Sequence, residues 1–120
     1  MPPMTEITST VNHYIDTWNE ADAATRRDLV ATVFADDARY LDPHFTGEGL
    51  DGIDAMIGGV QEQFPGHRFE LVEGPDAHHD RVRFTWHLNG PDGPVAVGTD
   101  FATVADDGRL RDVTGFLALP

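Results

Sequence analysis

Cysteine is absent from the 120 residues, and so is lysine. Without a thiol the chain has no disulfide framework, no thiolate nucleophile and no zinc-thiolate site, so the fold must stand on its apolar core. Positive charge is scarce, with eight arginines against 21 acidic side chains and a formal net charge of −13. Such a surface repels phosphate backbones and anionic lipid, which argues against nucleic acid and membranes as partners. No apolar run approaches the length needed to cross a bilayer, and MPPMTEITST carries neither the basic nor the apolar region of a signal peptide. The expectation is a soluble, cytoplasmic protein. Repeats, linkers and low-complexity segments are missing too. The length bounds one domain, residues 1–120, large enough for a real core and too small for two.

What is present divides into two periodicities. Ile7, Val11, Tyr14, Ile15 and Trp18 form the stripe of an amphipathic helix over about residues 5–20, with Tyr14 on its buried face. A second helix is expected over about 23–35, with Leu29, Val30, Val33 and Phe34 inward. A third is expected over about 50–64, carried by Ile53, Met56, Ile57, Val60 and Phe64 and closed by FPG. Beyond it the period becomes two. Segments 67–73, 81–89, 94–105 and 109–118 read as strands, joined by the turn sequences GPDAHHD, NGPDG and DDGR. With a short strand at 38–42, this is an α+β domain whose mostly antiparallel sheet covers its apolar face with helices.

Side-chain parity along the strands separates candidate core from candidate site. In RVRFTWHLNG, Val82, Phe84, Trp86 and Leu88 share one face and form an apolar wall. In PVAVGTDFATVA, Asp100 shares a face with Ala96, Gly98, Ala102 and Val104, small residues that leave room beside a carboxylate. Opposite parity gives Val95, Val97, Thr99, Phe101 and Thr103, an equally good core face, so the pattern does not decide whether Asp100 is buried. The last strand is equally open, with Val113, Gly115 and Leu117 alternating with Asp112, Thr114 and Phe116. In ARYLDPHFTGEG, an extended chain points Tyr40, Asp42 and His44 the same way. Asp42 there is either part of a simple Asp-Pro turn or a carboxylate fixed at a pocket mouth.

The order of elements, together with HYIDTWNEAD, VFADDARYLDP, GLDGIDAMI, VGTDFATV and DGRL-DVTGF, resembles the nuclear-transport-factor-2-like (NTF2-like) superfamily, in particular its SnoaL-like and ketosteroid-isomerase-like branch, over about residues 5–118. The resemblance implies a cone: a strongly bent, mostly antiparallel sheet around three helices, with a deep apolar pocket between them. It also implies site residues. Asp42 in DDARYLDP matches the isomerases' general base, Tyr14 in YIDTWN their oxyanion-hole tyrosine, and Asp100 in GTDF the protonated aspartate that completes the hole. Two neutral donors at a developing enolate stabilise it in a water-excluded site. Asp100 must then be neutral near pH 7, as burial among small apolar residues favours, while a partly exposed Asp42 stays ionised.

The pocket wall implied by this resemblance comprises Trp18, Tyr40, Ile57, Phe84, Trp86, Leu88 and Val113. Ile57 stands where the isomerases carry a supporting tyrosine, and Tyr40 and Trp86 are bulky for a steroid-sized cavity, so a smaller or flatter ligand, an apolar or carbonyl-containing molecule, is expected. SnoaL-like polyketide cyclases use one aspartate, at the position of Asp100, for an aldol ring closure, and the same enolate logic serves both reactions. A limonene-epoxide-hydrolase-like reading lacks its arginine, because Gly98 occupies that position. The chemistry calls for no cofactor, and a ligand-binding module without turnover is the non-enzymatic alternative. HHD at 78–80 falls in an expected turn and lacks a third metal ligand at useful spacing. His67 reads as a packing or capping residue, and His44 either assists Asp42 or hangs in the loop. A homodimer is expected, because the open sheet face around Phe101, Thr103, Thr114 and Phe116 would otherwise expose apolar area.

Overall fold

The computed structural model describes residues 4–118. Helix α1 (Met4–Asn19) buries Ile7, Val11, Tyr14, Ile15 and Trp18, the expected stripe. Helix α2 (Ala23–Val33) starts at Asp22, whose carboxylate accepts the Thr25 amide and so caps one of the free N–H groups of the first turn. Helix α3 (Gly49–Gln63) buries Ile53, Met56, Ile57 and Val60. Six strands follow or intervene: β1 (Phe34–Leu41), β2 (Thr46–Glu48), β3 (Arg68–His78), β4 (Arg81–Gly90), β5 (Gly93–Val104) and β6 (Leu110–Ala118). They form one curved, mixed sheet in the order β2-β1-β6-β5-β4-β3. Only β1 and β6 run parallel; β3 to β6 are the expected antiparallel meander. The result is the cone implied by the resemblance, with the core between helices and the inner face of the sheet.

Three boundaries differ from the sequence reading. Strand β1 begins at Phe34, four residues early, because helix α2 stops at Val33 and the chain extends at once; a register irregularity between Phe34 and Arg39 absorbs the entry. Leu29 is only partly buried. Strand β2 was not expected, since three residues, TGE, carry no periodicity of their own. GPDAH belongs to β3 rather than to a turn: two register shifts, at Leu71/Glu73 and Glu73/Asp76, let the strand pass Gly74 and Pro75 and still pair with β4. Only the His79–Asp80 end of the segment turns.

Side-chain amides fasten helix α1 to the sheet and to helix α3. Asn19 donates to the Phe69 carbonyl at 2.9 Å and accepts the Phe69 amide at 2.8 Å, completing a backbone-like ladder between α1 and β3. Gln61 donates to the carbonyls of Trp18 and Glu20 and so ties α3 to the last turn of α1, where orphan carbonyls need donors. These contacts set where Trp18 and Phe69 stand, and both of them bound the cavity.

Candidate active site

The helices and the sheet enclose a cavity of ≈ 400 Å³ that opens beyond the end of β1. Aromatic rings form much of its wall. Trp18 packs on Tyr40 and Phe69, with centroids 5.4 and 5.3 Å apart, and Phe69 meets Trp86 edge-on at 5.1 Å. Into this apolar enclosure project two carboxyl groups, each bonded to a tyrosine.

The deeper pair is Tyr14 and Asp100. The parity left open by the sequence resolves with Asp100 inward: its side chain is 0 % exposed, whereas Phe101 beside it is 45 % exposed. The Tyr14 hydroxyl donates to Asp100 Oδ2 at 2.6 Å. Tyr14 is itself held by Phe34 and Phe84, at 5.7 and 5.1 Å between centroids. Asp100 Oδ1 has no partner within the protein. Glycine at 115 makes that arrangement fit: Gly115 pairs with Asp100 across β5 and β6, and a Cβ there would lie 2.8 Å from Asp100 Oδ1, 3.2 Å from Asp42 Cβ and 3.3 Å from the Tyr40 hydroxyl. Burial pushes the Asp100 carboxyl up to about 6, with the Asp42 charge adding to the rise and the Tyr14 hydroxyl and nearby Trp86 indole opposing it. Trp86 makes no hydrogen bond to Asp100; the Tyr14 bond is the one that orients the carboxyl. A carboxyl raised in this direction keeps near pH 7 a neutral fraction that an ordinary exposed aspartate lacks. Burial first, then the Asp100 charge, holds the Tyr14 hydroxyl well above the usual tyrosine range, so Tyr14 remains a donor.

The shallower pair is Tyr40 and Asp42. Tyr40 and Asp42 do share a side, and the Tyr40 hydroxyl donates to Asp42 Oδ2 at 2.6 Å. Oδ1 accepts the amides of His44 and Phe45, both at 2.8 Å, while the Asp42 amide donates to the Phe45 carbonyl at 2.9 Å. This is the side-chain-closed turn that an Asp-Pro step favours. The turn and pocket-mouth readings of Asp42 therefore coincide. Three donors meet one carboxyl group, and one Oδ2 lone-pair direction is left over. Burial, before the charge of Asp100 and the bond to Asp42, raises the Tyr40 hydroxyl above the ordinary range.

Of the other residues singled out in the sequence, Trp18, Tyr40, Trp86 and Leu88 border the cavity. Phe84, Ile57 and Val113 do not: they are at most 1 % exposed and lie in the core behind it. Parity tells which face a residue shares, not how deep along the cone it falls, and Phe84 and Val113 lie below the cavity floor. His44 and Phe45 stand at the mouth, and Phe64, Phe69, Ala96 and Leu117 are among the residues that add to the wall. Phe69 was legible, since it leads the alternating segment RFEL; Phe45 was not, because only the turn closed by Asp42 folds it back. At Gly98, a Cβ would come 2.1 Å from Trp86 Cζ2, so the ring of Trp86 fills the space that a side chain at 98 would need. His67 accompanies Phe64 near the rim, its Nδ1 3.0 Å from the Pro65 carbonyl. His78 and His79 are exposed, and among the described residues no three His, Cys, Asp or Glu side chains gather as a metal would need.

Comparison with known proteins agrees with this architecture. Residues 11–113 match the model of the SnoaL-like domain. A candidate isomerase of the SnoaL-like family from Agrobacterium tumefaciens shares 44% identity over 96% of this chain and 99% of its own, with a TM-score of 0.90. A candidate SnoaL-like polyketide cyclase from Jannaschia sp. CCS1 shares 20% identity over 98% and 89% of the two chains, with a TM-score of 0.76. An NTF2-like protein of unknown function from Mesorhizobium loti shares 18% over 98% and 97%, with a TM-score of 0.72. The last two show likeness of fold alone. No curated protein matches the chain. With a domain model covering most of its length and a relative of this identity along nearly all of it, the chain belongs to the SnoaL-like family.

Proposed function

We propose that the protein catalyses cofactor-free proton transfer at a carbon next to a carbonyl group of a small, flat, largely apolar molecule. The reading is carried by one observation: a single apolar cavity holds two carboxyl groups under unlike conditions, one fully buried and one bound by three donors at the mouth. Asp42 takes the proton from carbon through the free direction on Oδ2, the C–H electron pair forms the new C=C bond, and the C=O π pair moves onto the carbonyl oxygen. Asp100, in its neutral form, donates through Oδ1 to that oxygen, and Tyr14 supports Asp100 from behind. The two act in line rather than side by side, because the Tyr14 hydroxyl is already engaged with Asp100. The enolate then recovers the proton at the same or a conjugated carbon, which is exchange or isomerisation, or attacks a second carbonyl and closes a ring. No electrons enter or leave, so no redox partner is required.

A second reading has its own support. Asp100 titrates at about 6 and keeps one oxygen free, as a general acid–base group should, whereas Asp42 is largely occupied by its donors. In that reading Asp100 alone moves the proton and Asp42 shapes the field around it. Exchange of α-protons for deuterium in aryl ketones and β-keto compounds distinguishes the two. Asp42→Asn abolishes exchange in the first reading and leaves most of it in the second, while Asp100→Asn impairs both. If neither variant exchanges more slowly than wild type, the pocket binds without turnover.

The outer face of the sheet supports a homodimer. Phe101 and Phe116, 45 % and 59 % exposed, pack edge to face at 5.9 Å on a surface flanked by Thr103 and Thr114. Sedimentation at micromolar concentration should give twice the chain mass, and Phe116→Asp should return it to the monomer.

A further inference from the structure

Two buried side-chain polar atoms among the described residues lack a hydrogen-bond partner, and both belong to residues that border the apolar cavity described above: Asp100 Oδ1 and Trp18 Nε1. The mechanism proposed above uses the first. The second has no assignment. An indole N–H is a donor only and cannot be satisfied by rotating a proton elsewhere. Left without an acceptor at 6 % exposure, it costs the fold the desolvation of that N–H. A buried donor of this kind calls for a partner that the protein itself does not supply.

The indole is firmly placed. Gln61 holds the Trp18 carbonyl, and the ring is wedged among Tyr14, Tyr40 and Phe69 at centroid distances of 6.2, 5.4 and 5.3 Å. The neighbouring Tyr14 ring carries the hydroxyl that donates to Asp100, and no hydrogen bond joins the indole N–H to that hydroxyl. The donor therefore sits beside the Tyr14–Asp100 pair, where the proposed function brings the carbonyl of a ligand. A phenylalanine would fill the same stack among aromatic neighbours without the stranded N–H.

We infer that Trp18 Nε1 donates a hydrogen bond to an oxygen of the ligand, so that the cavity selects flat carbonyl compounds over hydrocarbons of the same shape. Trp18 is then both wall and donor: its ring face contributes apolar area, and its N–H sets the orientation of the carbonyl relative to Asp100. The inference rests on the proposed function for where the carbonyl lies, but it concerns binding and needs no turnover.

The test uses 1-indanone and indane, nearly equal in shape and differing in one carbonyl. In ¹⁵N-labelled protein the two tryptophans, Trp18 and Trp86, give two indole N–H signals, which Trp18→Phe assigns by loss. Saturating 1-indanone should move the Trp18 N–H signal downfield, as a new hydrogen bond requires, and indane should not. Trp18→Phe should weaken 1-indanone roughly five- to tenfold and change indane less than twofold. Equal weakening of both ligands, an unmoved Trp18 signal at saturation because the N–H stays with Tyr14 or water, or no saturable binding of 1-indanone would each overturn the inference. Because the readout is binding, it can stand while deuterium exchange fails, and exchange can persist while the Trp18 signal stays still.

Discussion

The two tyrosine–aspartate pairs in the cavity share one bond length, 2.6 Å, and share little else. Tyr14 and Asp100 come from elements 86 residues apart in the chain and meet in the fully buried interior; Tyr40 and Asp42 are two residues apart and meet at the mouth. At the mouth, two backbone amides and a hydroxyl surround the carboxylate. In the interior a single hydroxyl does, and the second oxygen packs over Gly115 with nothing to compensate its desolvation. The same side chain thus becomes an acceptor held ready in one place and a group poised between its two protonation states in the other. Solvation and donor count make the difference, not residue type.

Removing either carboxylate should have the largest effect and separates the roles most sharply. Asp42→Asn retains the shape and some of the hydrogen bonding but cannot take a proton, and α-proton exchange should fall on the order of 10³-fold with ligand affinity kept. Asp100→Asn should cost on the order of 10²-fold, measured with the same deuterium-exchange assay. The two variants should differ in stability as well. A carboxyl raised in the folded state binds its proton more tightly than in the unfolded chain, so its contribution is complete below about pH 4 and is lost as pH rises to about 6. Asp100→Asn removes that loss. Denaturant unfolding should find it more stable than wild type at pH 8 by up to about 3 kcal/mol, with the gain disappearing near pH 4.

Gly115→Ala strikes at the partition between the pairs, because its methyl group would sit within 2.8 Å of Asp100 Oδ1 and 3.2 Å of Asp42 Cβ. Overpacking of this kind should destabilise the fold by about 1–3 kcal/mol and lower exchange through both carboxylates, with a chemical-denaturation midpoint and the exchange rate as readouts. Tyr40→Phe should be milder. It leaves the two amide donors on Asp42 and removes one hydroxyl, costing about 1 kcal/mol and changing exchange severalfold. If Tyr40→Phe proves as damaging as Tyr14→Phe, the mouth pair does more than hold a base.

The contrast between the pairs also marks where the sequence was readable. The mouth pair is local: Tyr40, Asp42 and Pro43 lie in one quoted stretch, and alternation plus turn chemistry places the hydroxyl and the carboxylate on one side. Helices α1 and α3 were equally plain because their buried stripes recur at helical spacing over two or three turns, whereas α2 buries only Val30 and Val33 and ends before the expected boundary. The interior pair is non-local, and parity in β5 offered two acceptable faces. What selects the face is invisible to parity: Gly98 makes way for the Trp86 ring and Gly115 for Asp100 Oδ1, each across a strand pairing. Depth was hidden for a similar reason. Phe84 faces inward as expected but stands opposite Asp100 beneath Tyr14, a support for the site rather than part of its wall. The long β3 was obscured because its two register shifts break the alternation by which a strand is read.

Burial sets Asp100 apart from an ordinary surface carboxylate while leaving it able to titrate within reach of neutrality. Carboxyl-carbon NMR of the protein labelled at aspartate, with the Asp100 signal assigned by its loss in Asp100→Asn, measures this directly. A midpoint at about 6 is expected, and a midpoint near 4, that of an exposed aspartate, would rule out control by burial.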